Sequence, residues 1–334
     1  MSEILVKEYR GPLVENVHKG DIAIVTKEDK VDSYCGNIEK VVYYRSTAKP
    51  LQVLPVITSG AANHFKFTDK EIALMAASHS GEKIHTDILK DILNKIELNI
   101  DDLKCGTHPP FDRKTRNYLR KNNKKVTPAH HACSGKHASQ LALAKYFNWD
   151  LKNYYKKEHP VQKLLLETIA EVTNYPASKI VQGKDGCGVV VFGLPLKYIA
   201  YSYSLMNNHE ALPDKYSNAA QKIVKAMKKY PKIVAGTNRF ANKLNNAIKR
   251  DLLIKSGADG VFAFAFDEKG IAIKIEDGSL KSTYPVVIEI LKSYNIISDK
   301  EVENLIKYYR PTIKDSNGDI VGQINTDYEL QYTK

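Results

Sequence analysis

The hydrophobic pattern of this chain changes period twice, and that constrains the fold more than any single motif. Residues 4 to 44 alternate as strands do, in Ile4–Val6, Asp21–Thr26, Val31–Tyr34 and Val41–Tyr44, with a polar turn at Lys27–Lys30. Helical spacing then takes over, in segments near 86–98, 112–122, 135–147, 159–173, 194–207, 215–230 and 239–251. Thr68-Asp69-Lys70-Glu71 has the form of a capping box opening the apolar run Ile72–Ala77. Strand character returns at Val261–Phe266, turns at Asp267–Gly270 and comes back through Ile271–Ile275, ahead of helices near 282–294 and 298–308. Strands at both ends with helices between them predict one α/β (α+β) domain over 1–334. Its antiparallel sheet is assembled from both termini, about 1–60 and 235–334, flanked by helices, with a helical subdomain inserted at about 61–234.

The first change of period falls on Arg45-Ser46-Thr47-Ala48-Lys49-Pro50, a strand, a sharp turn and a helix start. Ser46 and Lys49 are three apart, so on a helical first turn their side chains share a face and can meet. A serine hydroxyl attacks well only when a base takes its proton, and a lysine is that base only when neutral. Burial and a second nearby cation, such as Lys255, would favour the neutral form. S-x-x-K alone is common in a lysine-rich chain. Followed in order by Ser78-His79-Ser80 and Lys255-Ser256-Gly257, it matches the order of elements in penicillin-binding proteins and serine β-lactamases.

Four cysteines, Cys35, Cys105, Cys133 and Cys187, lie far apart without a C-x-x-C pair, which argues against a disulfide scaffold or zinc finger. Two of them stand in polar, turn-rich contexts: Cys133 within Thr127–Ala138, among His130, His131 and His137, and Cys187 within Gly183–Gly188, beside Asp185. Thiolate and imidazole are the usual zinc ligands, so Cys133, Cys187 and a histidine form one candidate set; two buried, unligated thiols are the alternative. Net charge +12 and pI near 9.2 admit a nucleic-acid partner, most densely at Arg113, Lys114, Arg116, Arg120, Lys121, Lys124 and Lys125. Without a recognised nucleic-acid module, a solvated helix explains that run more simply. No apolar run approaches the ~20 residues that span a bilayer. The first residues lack a signal-peptide pattern, so the expected setting is cytoplasmic, with no membrane or nucleic-acid partner.

Taken together, Arg45–Gln52, Ala77–Glu82, Cys105-Gly106-Thr107-His108-Pro109, Cys133-Ser134-Gly135-Lys136-His137, Asp185-Gly186-Cys187 and Lys255–Asp259 resemble the asparaginase II family, the zinc-binding Ser-Lys L-asparaginases of rhizobial type. The resemblance runs from about Arg10 to Asp277. It implies a fold similar to glutaminases and serine β-lactamases, and hydrolysis of L-asparagine to L-aspartate and ammonia through a serine acyl-enzyme. It further implies catalytic dyads Ser46–Lys49 and Ser78–Lys255, with Arg45, Asp185, His137 and Glu82 on the substrate side. Zinc on Cys133, Lys136 and Cys187, and a homodimer, complete what it implies. The family's lysine ligand replaces the histidine of the first candidate set. Two positions depart from the family pattern: Ala241 follows the Gly236–Arg239 turn where members often carry a cysteine, and Gly188-Val189 follows Cys187 where a proline is expected. Glutamine or another amide as substrate stays open, because one methylene changes binding by only ~1–3 kcal/mol. A basic nucleic-acid-binding protein with structural zinc is the reading from another class.

Overall fold

The computed structural model describes residues 1–333, which divide into two compact units. One is built on a sheet, from Met1–Thr47, Leu194–Ser204 and the chain from Lys243 on; the other, Ala48–Gly193 and Leu205–Asn242, is mostly helical. An antiparallel sheet drawn from both ends and a helical insertion are thus both present. The boundaries differ from the expected ones: the helical unit opens at Ala48 rather than about 61, and Leu194–Ser204 belongs to the sheet unit.

In chain order the strands are β1 (Glu3–Arg10), β2 (Leu13–Thr26), β3 (Val31–Cys35) and β4 (Val41–Tyr43). β5 (Val181–Lys184) and β6 (Val190–Pro195) follow, then β7 (Leu253–Ser256), β8 (Val261–Phe266), β9 (Lys269–Ile275), β10 (Thr312–Lys314), β11 (Ile320–Thr326) and β12 (Gln331–Tyr332). The main sheet runs β10-β11-β1-β2-β9-β8-β7, with β3 on β2 and β12 on β3. β2 is its pivot. Its first half pairs with β1 and is largely exposed, while Gly20–Val25 is buried and pairs with β3 and β9. Every residue of β8 is buried, as its continuous apolar run demands. Helix Thr283–Ser293 covers β1, β9 and β11. On β9, Gly270 lets the backbone of Ala200 come close, since a Cβ there would lie 2.0 Å from its carbonyl oxygen.

At the centre of the helical unit is Lys49–Thr58, buried from Lys49 to Val56 and packed on helices Ser134–Tyr146, Pro160–Thr173 and Asp214–Lys229. That packing is why the unit opens at Ala48. Pro50 is tolerated because the first helical N–H groups have no partner within the helix. The Ser134 helix is buried from Ser134 to Ala144, the pattern of an interior helix. It crosses Asp69–Met75 closely: a Cβ on Gly135 would lie 2.1 Å from Leu74 O, so only glycine fits. The expected capping box is present, with Thr68 and Glu71 each bonded to the other's backbone N–H, a motif worth ~1 kcal/mol. The basic run lies on and just after helix Arg113–Lys121, where only Leu119 is buried. The expected helix near 298–308 is two short ones, Asp299–Asn304 and Ile306–Tyr309, and that near 239–251 stops at Ala247. Among the described residues, no helix is long and apolar enough to cross a membrane.

Candidate active site

Lys49 is the first residue of the central helix and only 1% exposed. Its Nζ donates to Ala77 O at 2.6 Å and Ala132 O at 3.3 Å, and lies 3.0 Å from Ser78 Oγ. Burial lowers the amine's pKa from its usual value; the Cys133 and Cys187 sulfurs oppose this and the Lys136 ammonium assists. A neutral amine has two hydrogens, and the two carbonyls take both. As an ammonium Lys49 donates to Ser78 Oγ as well; once it gives up that proton, its lone pair can accept from the Ser78 hydroxyl. The helical unit therefore joins a lysine from one expected dyad to the serine of the other.

Beside this pair, Lys136 Nζ lies 3.0 Å from Cys187 Sγ and 3.3 Å from Asp185 Oδ2. Cys133 precedes the Ser134 helix, which carries Lys136 one turn on, while Asp185 and Cys187 occupy the turn of the β5–β6 hairpin. A hydrogen bond from Cys187 holds the Cys133 thiol well below its usual pKa, and Lys49 and Lys136 add to the effect; Cys187, the donor, is pushed up. Burial alone would lower Lys136, yet Cys187, Cys133 and Asp185 together hold it up, as an ammonium. Two sulfurs and an amine in a buried cluster are a donor set that suits zinc, provided Lys136 gives up its proton. Among the described residues there is no group of three or more His, Cys, Asp and Glu side chains that could hold a metal. His137 is sealed from solvent. Its Nδ1 is 2.6 Å from Tyr154 Oη, its Nε2 has no hydrogen-bond partner, and burial and Lys136 keep the ring neutral.

The Ser78–Glu82 loop is fastened along its length to residues 232–237. Ser78 N donates to Val234 O at 2.9 Å, Ser80 Oγ to Ala235 O at 2.9 Å, and His85 Nε2 to Lys232 O at 3.1 Å. Glu82 closes the seam: Oε1 accepts from Thr237 N at 2.8 Å and Oε2 from Thr237 Oγ1 at 2.5 Å. Gly236, at φ +118°, allows the approach, because a Cβ there would lie 2.0 Å from Ser80 Oγ. His79 joins the loop to the Ser134 helix. Its Nδ1 accepts from Gly81 N, so Nε2 carries the hydrogen that Ser134 Oγ accepts at 2.8 Å.

In the sheet unit, Arg45–Ala48 forms a 3-10 turn that holds Ser46 half-buried. Thr47 pins it through Tyr44 O and Tyr203 Oη, at 2.6 and 2.8 Å. Arg45, in the left-handed region at φ +51°, pairs with Asp259. Buried Lys255 donates to Ser256 O at 2.8 Å, and Gly257 approaches Thr47. The Ser46 and Lys255 motifs are thus neighbours in one unit.

This arrangement can be set against known proteins. The sequence matches the family described as L-asparaginase II over residues 6–326. The chain belongs to the L-asparaginase II family. Membership makes it an amidohydrolase acting on a small molecule. No curated protein matches the chain. A solved structure titled "Crystal Structure Analysis of Mglu" is similar at 11% identity and TM-score 0.38, over 83% of this chain and 67% of that one.

For this L-asparaginase II family member, the structure places Lys49 with Ser78, and Lys136 with Cys133, Cys187 and Asp185, in the helical unit. Arg45, Ser46 and Lys255 lie in the sheet unit. Glu82, expected on the substrate side, spends both carboxylate oxygens on Thr237. Thr237 carried no signal as a site residue in the sequence, since it acts by a bond to Glu82, 155 positions away.

Proposed function

We propose that this protein is an L-asparaginase that hydrolyses L-asparagine to L-aspartate and ammonia through a serine acyl-enzyme. The supporting observation is the buried Lys49 amine, which lies within hydrogen-bond distance of Ala77 O, Ala132 O and Ser78 Oγ and which burial holds below its usual pKa. Ser46, one turn ahead of Lys49 in the chain, is the nucleophile in this reading. Its Oγ bonds to the side-chain amide carbon, and its proton passes to Lys49. The C–N bond then breaks as that proton is delivered to the departing nitrogen, releasing ammonia. Water attacks the ester in the second half, giving its proton back through the same lysine and freeing Ser46. Ser78 and Lys255 are the second serine and the second lysine of this reading, and each serves proton transfer. Asp185 holds the substrate ammonium. Cys133, Lys136 and Cys187 would hold zinc, which when bound supplies positive charge that polarises and orients the substrate region. The protein works as a homodimer in the cytoplasm.

Ammonia release from L-asparagine and L-glutamine, measured in parallel with zinc supplied, tests the reading. Turnover of asparagine that disappears in Ser46→Ala, with the melting curve retained, is the expected result. Faster turnover of glutamine would reassign the substrate, and no release from either would remove the reading.

A further inference from the structure

An α-amino-acid substrate brings a carboxylate as well as an ammonium group, and a carboxylate held away from bulk water needs a cation. Arg45 is paired with Asp259. Arg239 is the contrasting case in the helical unit: among the described residues no carboxylate pairs with it. It ends the Gly236–Arg239 turn, where its N–H donates to Gly236 O, and its guanidinium lies 5.0 Å over the ring of Phe111. A guanidinium held over a ring by its charge spends no N–H on a carboxylate, and its fork can meet one with two parallel hydrogen bonds.

Both supports of Arg239 are tied to the segment that carries Ser78. The turn is bonded through Thr237 to Glu82, and its Gly236 lies against Ser80. Phe111 is followed by Asp112, whose N–H donates to Ser80 O at 3.0 Å. Phe111 itself is 48% exposed although it is an aromatic residue in a well-packed unit, and it also meets His108 at 4.9 Å. An exposed ring held at the rim of the serine loop, with an unpaired guanidinium on it, is a prepared anion site.

We propose that Arg239, seated on Phe111, binds the α-carboxylate of the amino-acid substrate. The assignment rests on the asparaginase reading and names the residue that makes the enzyme require an amino acid rather than any small primary amide. Its test compares L-asparagine with 3-aminopropanamide, which has the same amide and amine but no carboxylate. Arg239→Gln raises KM for asparagine about tenfold to a hundredfold, the loss typical of a charged hydrogen-bonded pair, with a smaller change in kcat. Its kcat/KM for 3-aminopropanamide stays at the wild-type value, so the preference for asparagine collapses. Arg239→Lys recovers part of the loss, because it keeps the charge but not the fork. Equal losses on both substrates, or none on either, would overturn the assignment while leaving the asparaginase reading intact. Wild-type protein idle on asparagine would instead overturn that reading and the assignment with it.

Discussion

Thr237→Val tests whether the seam between residues 78–82 and 232–237 holds the serine loop in its working shape. Valine matches threonine in shape, so the change removes only the hydroxyl that donates to Glu82 Oε2 at 2.5 Å and leaves the N–H bond to Oε1 at 2.8 Å. A hydrogen bond to a charged group contributes ~1.5–3 kcal/mol, and the carboxylate oxygen left behind is partly buried. The variant should therefore melt about 5 °C lower. Because Ser80 and Ser78 hang on the same segment through Ala235 O and Val234 O, kcat should also fall, by about tenfold, with KM less affected. Thr237→Ser restores the hydroxyl and should restore both. Glu82→Gln gives a finer check. The Thr237 hydroxyl can turn and accept from the new amide, so the loss should stay near ~1 kcal/mol, whereas Glu82→Ala removes both acceptors and should exceed Thr237→Val. Differential scanning calorimetry and steady-state ammonia release supply the readouts. A Thr237→Val protein that melts and turns over as the wild type does would refute the claim that Glu82 and Thr237 shape the loop.

Three further outcomes follow from the same geometry. Burial lowers the pKa of Lys49, so its base form is present at lower pH than for an ordinary lysine near ~10.4. kcat/KM should rise with pH along a limb centred below that value; a limb at or above it would contradict Lys49 as the base. The same shift bears on stability: the unfolded chain binds the proton more readily, so this contribution is lost as pH falls from the unfolded toward the folded pKa. Gly236→Ala would place a Cβ 2.0 Å from Ser80 Oγ on a backbone at φ +118°, and should destabilise by at least ~1–3 kcal/mol and lower kcat. Wild-type kcat in that variant would show that the seam tolerates displacement. Cys187→Ala should retain little zinc by metal analysis and raise KM for asparagine more than it lowers kcat; zinc-free wild-type protein of full activity would count against Cys133, Lys136 and Cys187 as ligands.

How much could be read from the chain alone differs by element. Buried segments announced themselves, because burial on both faces or along one helical stripe leaves a periodic apolar record: β8 and β9, the Thr68 capping box, and the helices around 134–146, 160–173 and 214–229 all lie within a few residues of their expected places. The exposed strands did not. The first half of β2 and strands β10, β11 and β12 carry mixed polar residues that are exposed or only half-buried, so they leave no periodic apolar record.

The candidate site divides along the same line. Ser46 and Lys49 are three residues apart, so their local relation follows from the chain's own geometry, and the family could be read from six short motifs in order. What tertiary structure decided is which groups meet within each unit: Lys49 with Ser78, Lys136 with Cys187 and Asp185, Arg45 with Asp259, Glu82 with Thr237. Local spacing is set by covalent geometry and backbone hydrogen bonds. Contacts between residues as far apart in the chain as Arg45 and Asp259 depend on how helices and strands pack, and so does the burial that lowers the pKa of Lys49.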